Sequence, residues 1–166
     1  MPDAPDKFDP LGLLATLDRH RVAYIVIGAF ARVVQGADEM TRGVDIVPAM
    51  RPENLRRLTT ALDELNARRP DGQALDGEAL SREEVLGLMT DRGELKVVPQ
   101  PEGTRGFEDL RRAASREYLG RGVRTSIAST GDLARMLSAL GREEDIHKLI
   151  DIRRVMELER GLSLGL

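Results

Sequence analysis

The sequence predicts an α+β fold: a mixed β-sheet flanked by helices, with C-terminal helices packed on it. Three observations lead there. Short apolar, β-branched runs at residues 22–27 and 44–47 stop at Gly28 and Pro48, as buried strands do. Between such runs lie segments with apolar residues at helical spacing, the sign of helices that bury one face against a sheet. From Ser129 onward the pattern is helical only. At 166 residues the chain has the usual size of one domain, so residues 1–166 are expected to form one unit. Its first nine residues are expected to be flexible, and residues 129–160 form its C-terminal helical part.

The elements follow in order. Leu11, Leu14 and Leu17 after Pro10 predict a packing helix over residues 10–21. Residues 22–27 form a strand ended by Gly28, and residues 29–34 a short helix closed by Gly36. A second strand over residues 44–47 stops at Pro48. Leu55, Leu58, Ala61, Leu62 and Leu65 give residues 54–67 an amphipathic pattern, with Pro52 and Glu53 suited to the first turn. Residues 69–81 are polar and punctuated by Pro70 and Gly72, which predicts a loop. Residues 85–89 and 94–98 flank Thr90-Asp91-Arg92-Gly93 as a hairpin does, although Ser81-Arg82-Glu83-Glu84 also reads as a helix start. Residues 99–106 are a loop, residues 107–118 are helical in pattern, and residues 123–127 form the last strand. Ser129 or Thr130 caps a helix running to Leu140, and residues 142–160 form another.

Composition narrows the function. Hydrophobic residues make up 41% and charged residues 32% of the chain, the balance of a globular domain. No apolar run approaches the span of a bilayer, and the acidic, proline-rich start has no export signal, so a cytoplasmic location is expected and no membrane role. Without cysteine there is no disulfide, thiolate metal site or thiol nucleophile. A net charge of −3 argues against holding nucleic acid by bulk electrostatics, and three Phe, two Tyr and no Trp make a poor base-stacking platform. The arginines of 111–124 interleave with acids and read as a solvated face. Lysine is rare: Lys7, Lys96 and Lys148 are the three.

The candidate site lies where Tyr24-Ile25-Val26-Ile27-Gly28-Ala29 leads to Thr41-Arg42-Gly43-Val44-Asp45-Ile46-Val47-Pro48. A glycine turn between strand and helix aims backbone N–H groups at a phosphate, and a strand carboxylate nearby is a metal ligand in wait. With Gly93-Glu94-Leu95-Lys96-Val97-Val98-Pro99 and Ala139-Leu140-Gly141-Arg142-Glu143-Glu144-Asp145, these segments resemble the nucleotidyltransferase superfamily, in particular its small bacterial branch of AbiEii-like toxins. The resemblance runs from Tyr24 to the helix after Gly141. It implies a nucleotidyltransferase-like fold and a site where paired carboxylates hold Mg²⁺ against a nucleoside triphosphate.

The departures fall on the chemistry. Ala29 replaces the second glycine of the family's turn, Gly43 the first metal-binding Asp, and Lys96 the third acid; Leu137 stands where a lysine is frequent, and Lys148 at an acidic position. Three readings follow. In the first, the catalytic centre has degenerated into a nucleotide- or phosphate-binding or regulatory module: Gly28, Ala29, Thr41, Arg42 and Lys96 contact the phosphate, and Lys96 pairs with Asp45 in place of metal. In the second, the chain is an active transferase, with Asp45 and the displaced acid Glu94 as catalytic residues and Asp45 as ligand to Mg²⁺. It moves a nucleoside monophosphate onto an RNA, protein or small-molecule hydroxyl, in a toxin–antitoxin context that the resemblance implies. In the third, the fold serves protein interaction alone, a partner or homodimer docking on the C-terminal helix through Ile146, Leu149, Ile150, Ile152 and Val155. Without the resemblance, Gly28 simply ends a strand and Asp45 is a half-buried acid paired with Arg42 or Lys96.

Overall fold

Asp9 opens the first helix, its carboxylate accepting the Gly12 N–H at 3.0 Å while pairing with Arg92. The structure, a computed structural model, describes residues 8–82 and 85–163. The expected flexible start therefore lies mostly outside the described residues, as do Glu83 and Glu84. Helix α1 (Pro10–Arg19) leads through a turn at Arg21 (φ 57°) into β1 (Tyr24–Ile27). Gly28 turns β1 directly into α2 (Gly28–Gln35), which ends at the left-handed Gly36. Strand β2 (Gly43–Pro48) and helix α3 (Pro52–Glu64) follow, then the single turn α4 (Ala79–Arg82). The hairpin β3 (Leu86–Thr90) and β4 (Gly93–Val97) precedes a second short turn, α5 (Phe107–Leu110). A second hairpin, β5 (Ser115–Gly120) and β6 (Val123–Ile127), leads to α6 (Thr130–Leu140) and α7 (Ile146–Ser163), linked by a 3-10 turn over Glu143–Asp145.

The six strands make one mixed sheet in the order β3-β4-β2-β1-β6-β5. β1 is antiparallel to β2 and parallel to β6, and β2 is parallel to β4. Alternation along the strands divides the residues between faces. Val44, Ile46, Leu95, Val97, Leu86 and Leu88 are buried, whereas Asp45, Glu94 and Lys96 stand on the other side of their strands. α2 packs on β1 and β2, α6 on α2, and α7 on α6, forming the helical layer that overhangs the second face.

One sequence expectation fails outright. The helical pattern over residues 107–118 holds only for Phe107–Leu110, after which Ser115–Gly120 is a strand. Gly120 (φ 110°), Arg121 (φ 51°) and Gly122 (φ 77°) build the tight turn that pairs this segment with β6, and that pairing overrides the local periodicity. The loop at residues 69–81 is broken by α4, which overlaps the alternative helix start at Ser81 and Arg82. The C-terminal apolar residues also part ways: Ile152 and Val155 are core, Leu149 packs against it, and Ile146 and Ile150 remain exposed.

Asn54, 3% exposed, ties three segments together from inside. Its carbonyl accepts the Ala23 N–H at 2.7 Å, and its amide donates to the carbonyls of Ala23 (2.9 Å) and Ala49 (2.8 Å). This clamps the start of β1 to the end of β2, so the β1–β2 register is held at the end remote from Asp45. Truncation strands a buried N–H and carbonyls without partners. Asn54→Ala is expected to lose about 2–3 kcal/mol of stability in urea unfolding, against under about 1 kcal/mol for the exposed Thr60→Ala.

Candidate functional site

The register places Asp45 at the centre. It lies opposite Ile27 on β1, the residue before the Gly28 turn, and opposite Lys96 on β4. Gly28 adopts φ +74°, and a Cβ there would sit 3.0 Å from Asp45 Cγ and closer still to Oδ2. Glycine is therefore required twice, by conformation and by space. Ile27 offers no side-chain cap to α2, so N–H groups of the first turn are left for a ligand or solvent at the point where Gly28 and Ala29 line the cleft.

Gly43 opens β2 two residues before Asp45. Its neighbour across the sheet is Glu94, and a Cβ on Gly43 would lie 2.7 Å from the Glu94 carbonyl oxygen and 2.8 Å from Glu94 Cβ. β2 and β4 thus approach too closely at this point for any side chain on residue 43. Thr41 bonds its own strand, donating to the Gly43 carbonyl at 2.8 Å, and Arg42 is exposed at the start of β2. Thr41, Arg42, Gly43 and Glu94 line a cavity of about 350 Å³ that shares Ala29, Asp45 and Lys96 with a larger cleft of about 840 Å³. All the residues expected at the site thus border one of two adjoining cavities, with Asp45 and Lys96 between them.

Electrostatics sets the character of the pair. Asp45 and Lys96 are register neighbours, yet their side chains make no direct ion pair, and neither forms a hydrogen bond among the described residues. This corrects the expectation that Lys96 satisfies Asp45 directly, and Arg42 does not satisfy it either. Burial raises the Asp45 carboxyl above its ordinary value; the charges of Lys96 and Arg32 pull it back and Glu94 adds to the rise.

Sequence reasoning passed over Arg32 and Glu39. Arg32 lies one turn beyond Gly28 on α2, is 6% exposed and lines the larger cleft. Its Nε and Nη2 donate to the Glu39 carboxylate at 2.6 and 3.0 Å, a bidentate pair that fixes the loop returning to β2. The i to i+7 spacing across Gly36 crosses a helix end, so no helical periodicity announces it. On the far wall, Asp145 is 2% exposed and its carboxylate is held below the usual range by Arg142, whose Nε donates at 2.6 Å, with Lys148 3.5 Å from the other oxygen. Arg142 and Lys148 border the larger cleft, with Arg32, Arg82 and Lys96. Five cations and the two carboxylates Asp45 and Glu102 thus line the cleft of an acidic chain, and all the cations but Lys96 have a carboxylate partner of their own.

The donor set does not fit the divalent metal that the fold implies. A two-metal site needs carboxylates converging from neighbouring strands. Here Asp45 has Gly43, packed against backbone, two residues before it and Lys96 opposite it, and among the described residues no three His, Asp or Glu side chains converge.

The architecture is that of a nucleotidyltransferase fold: a mixed sheet with flanking helices and the strand–glycine turn–helix–strand unit at its centre. Among solved structures, the lincosamide antibiotic adenylyltransferase LnuA, with lincomycin bound, superposes with a TM-score of 0.60 at 12% identity, covering 87% of this chain and 94% of that one. No protein-family model matches the chain, and no curated protein matches it in sequence.

Two outcomes test the geometry. Because burial makes the folded chain hold the Asp45 proton to higher pH than the unfolded chain does, stability falls as pH rises from the ordinary value of 3.8 through the raised one. Asp45→Asn is therefore expected to melt higher than the parent at pH 7, the gain closing as pH falls to the ordinary carboxylate range. Glu39→Ala leaves Arg32 buried without its partner and is expected to cost about 3–5 kcal/mol in urea unfolding.

Proposed function

We propose that this chain is a degenerate nucleotidyltransferase, resembling the AbiEii-type toxins, that binds a phosphate-bearing ligand such as a nucleoside triphosphate without divalent metal and acts as a cytoplasmic binding or regulatory module. The observation that carries this reading is Lys96. Among the described residues it is the one cation of the larger cleft without an ion pair, and it stands beside Asp45 where a third metal-binding acid is expected. A phosphate there meets an ammonium directly, and the uncapped start of α2 at Gly28 and Ala29 supplies N–H donors. Asp45 opposes the ligand's charge, and the charges of Lys96 and Arg32 beside it offset that opposition.

One observation favours an active transferase instead. The Cβ of Glu94 lies 2.8 Å from where a Cβ of residue 43 would be, so Glu94 projects from nearly the place of the missing acid and borders Asp45 in the smaller cavity. A role in protein interaction alone is supported by the exposed Ile146, Ile150, Leu158 and Leu162 along α7. None of the described helices is long and apolar enough to cross a membrane, so no reading places one of them in a bilayer.

Calorimetric titration with inorganic phosphate and ATP, in EDTA and then in Mg²⁺, separates the readings. Binding is expected in EDTA, weakened about tenfold or more by Lys96→Ala and strengthened by Asp45→Asn. Binding that requires Mg²⁺, or ATP turnover that both Asp45→Asn and Glu94→Gln abolish, would establish the transferase.

A further inference from the structure

We infer that the ligand of the larger cleft is an amphiphilic organic phosphate, with an anionic head at Lys96 and an alkyl or alicyclic body instead of a nucleobase; this rests on the phosphate-binding reading above. The cleft changes character along its length. Asp45, Lys96, Arg32 and the Gly28 turn form its polar floor, and beyond them the walls combine apolar side chains with Arg82, Arg142 and Lys148, each held by a carboxylate. Three large apolar side chains that the fold leaves in solvent meet there: Met50 (41% exposed), Val85 (52%) and Leu140 (42%). They come from three separate elements, the segment after β2, the segment before β3 and the last turn of α6, and they continue the surface of Val98, Pro99 and Met136. Covering such a rim with an apolar body removes it from water, which a phosphate alone cannot do.

The same walls lack what a base needs. Nucleobases are held by stacking on aromatic or free guanidinium planes and by hydrogen bonds to their edges. No aromatic side chain borders the cleft among the described residues, Arg82 is engaged by Asp76 and Glu78, and Ser81 and Gln100 are the neutral polar side chains on offer. At about 840 Å³ the space is large for a lone phosphate and matches a small organic molecule. The charge pattern places the head: Lys96, the cation without an ion pair, is on the floor, whereas Arg82, Arg142 and Lys148 on the walls are each paired with a carboxylate.

Calorimetry in EDTA with n-octyl phosphate below its micellar concentration, inorganic phosphate and ATP tests this. Octyl phosphate is expected to bind about tenfold tighter than inorganic phosphate, or better, since a few buried methylenes are enough for that, and tighter than ATP. Leu140→Asp and Val85→Asp are expected to bring the ratio of octyl to inorganic phosphate affinity towards one, and Lys96→Ala to weaken octyl phosphate. Equal affinity for the two phosphates, ATP as the tightest ligand, or octyl phosphate binding that ignores Lys96→Ala would each overturn the amphiphile inference while leaving the phosphate site standing. A chain that binds none of the three probes overturns the phosphate-binding reading, and this inference with it.

Discussion

The contact between Gly28 and Asp45 governs the rest of the site. Antiparallel pairing brings the end of β1 level with the middle of β2, and there the backbone must turn into a helix with no space for a side-chain carbon. The turn sets the direction of α2, which in turn delivers Arg32 to the interior one helical turn later. Arg32 grips Glu39, and the gripped loop feeds Gly43 and Asp45 back into the sheet. The polypeptide thus closes a circuit from Gly28 to Asp45 in which each step fixes the next. Asn54 holds the same strand pair at its far end, so neither strand can slip without breaking a buried contact.

Much of this is legible in the sequence because it is locally encoded. Gly28, Gly36 and Pro48 end their elements, Pro52 begins a helix at its first position, and Ser129 caps α6 by accepting the Asp132 N–H. Motif order likewise brings Asp45 and Lys96 to one site. What escapes a reading of the sequence is set by partners distant along the chain. Residues 115–120 have mixed periodicity and become a strand through pairing with β6; Arg32 and Glu39 look like ordinary surface charges until the loop folds over. The crowding at Gly43 depends on β4, about fifty residues on, and no property of the glycine itself announces it.

Charge distribution gives the cleft an identity separate from the chain that carries it. The molecule is acidic, but some of its acids hold arginines of the cleft in place, as Glu39 does for Arg32 and Asp145 for Arg142. A buried carboxylate behind an arginine fixes its position at an entropic cost already met in the free protein, so a ligand arriving later finds the group in place. Lys96 differs in having no such ion-pair partner among the described residues, although its charge acts on Asp45 beside it.

The cleft's walls also fix when it can exist. Its floor comes from residues 27–45 and from Lys96, its roof from residues 133–148, and the parallel pairing that unites them, Val26 with Ile127, spans about a hundred residues of chain. On a ribosome, β1 and β2 can pair early and make their own hairpin-like unit, yet the cationic surface they carry has no cover until α6 and α7 have emerged. The nascent chain therefore passes through a stage with an exposed, incomplete site, and the link from the Asp38 N–H to the Asp151 carboxylate is among the last to form.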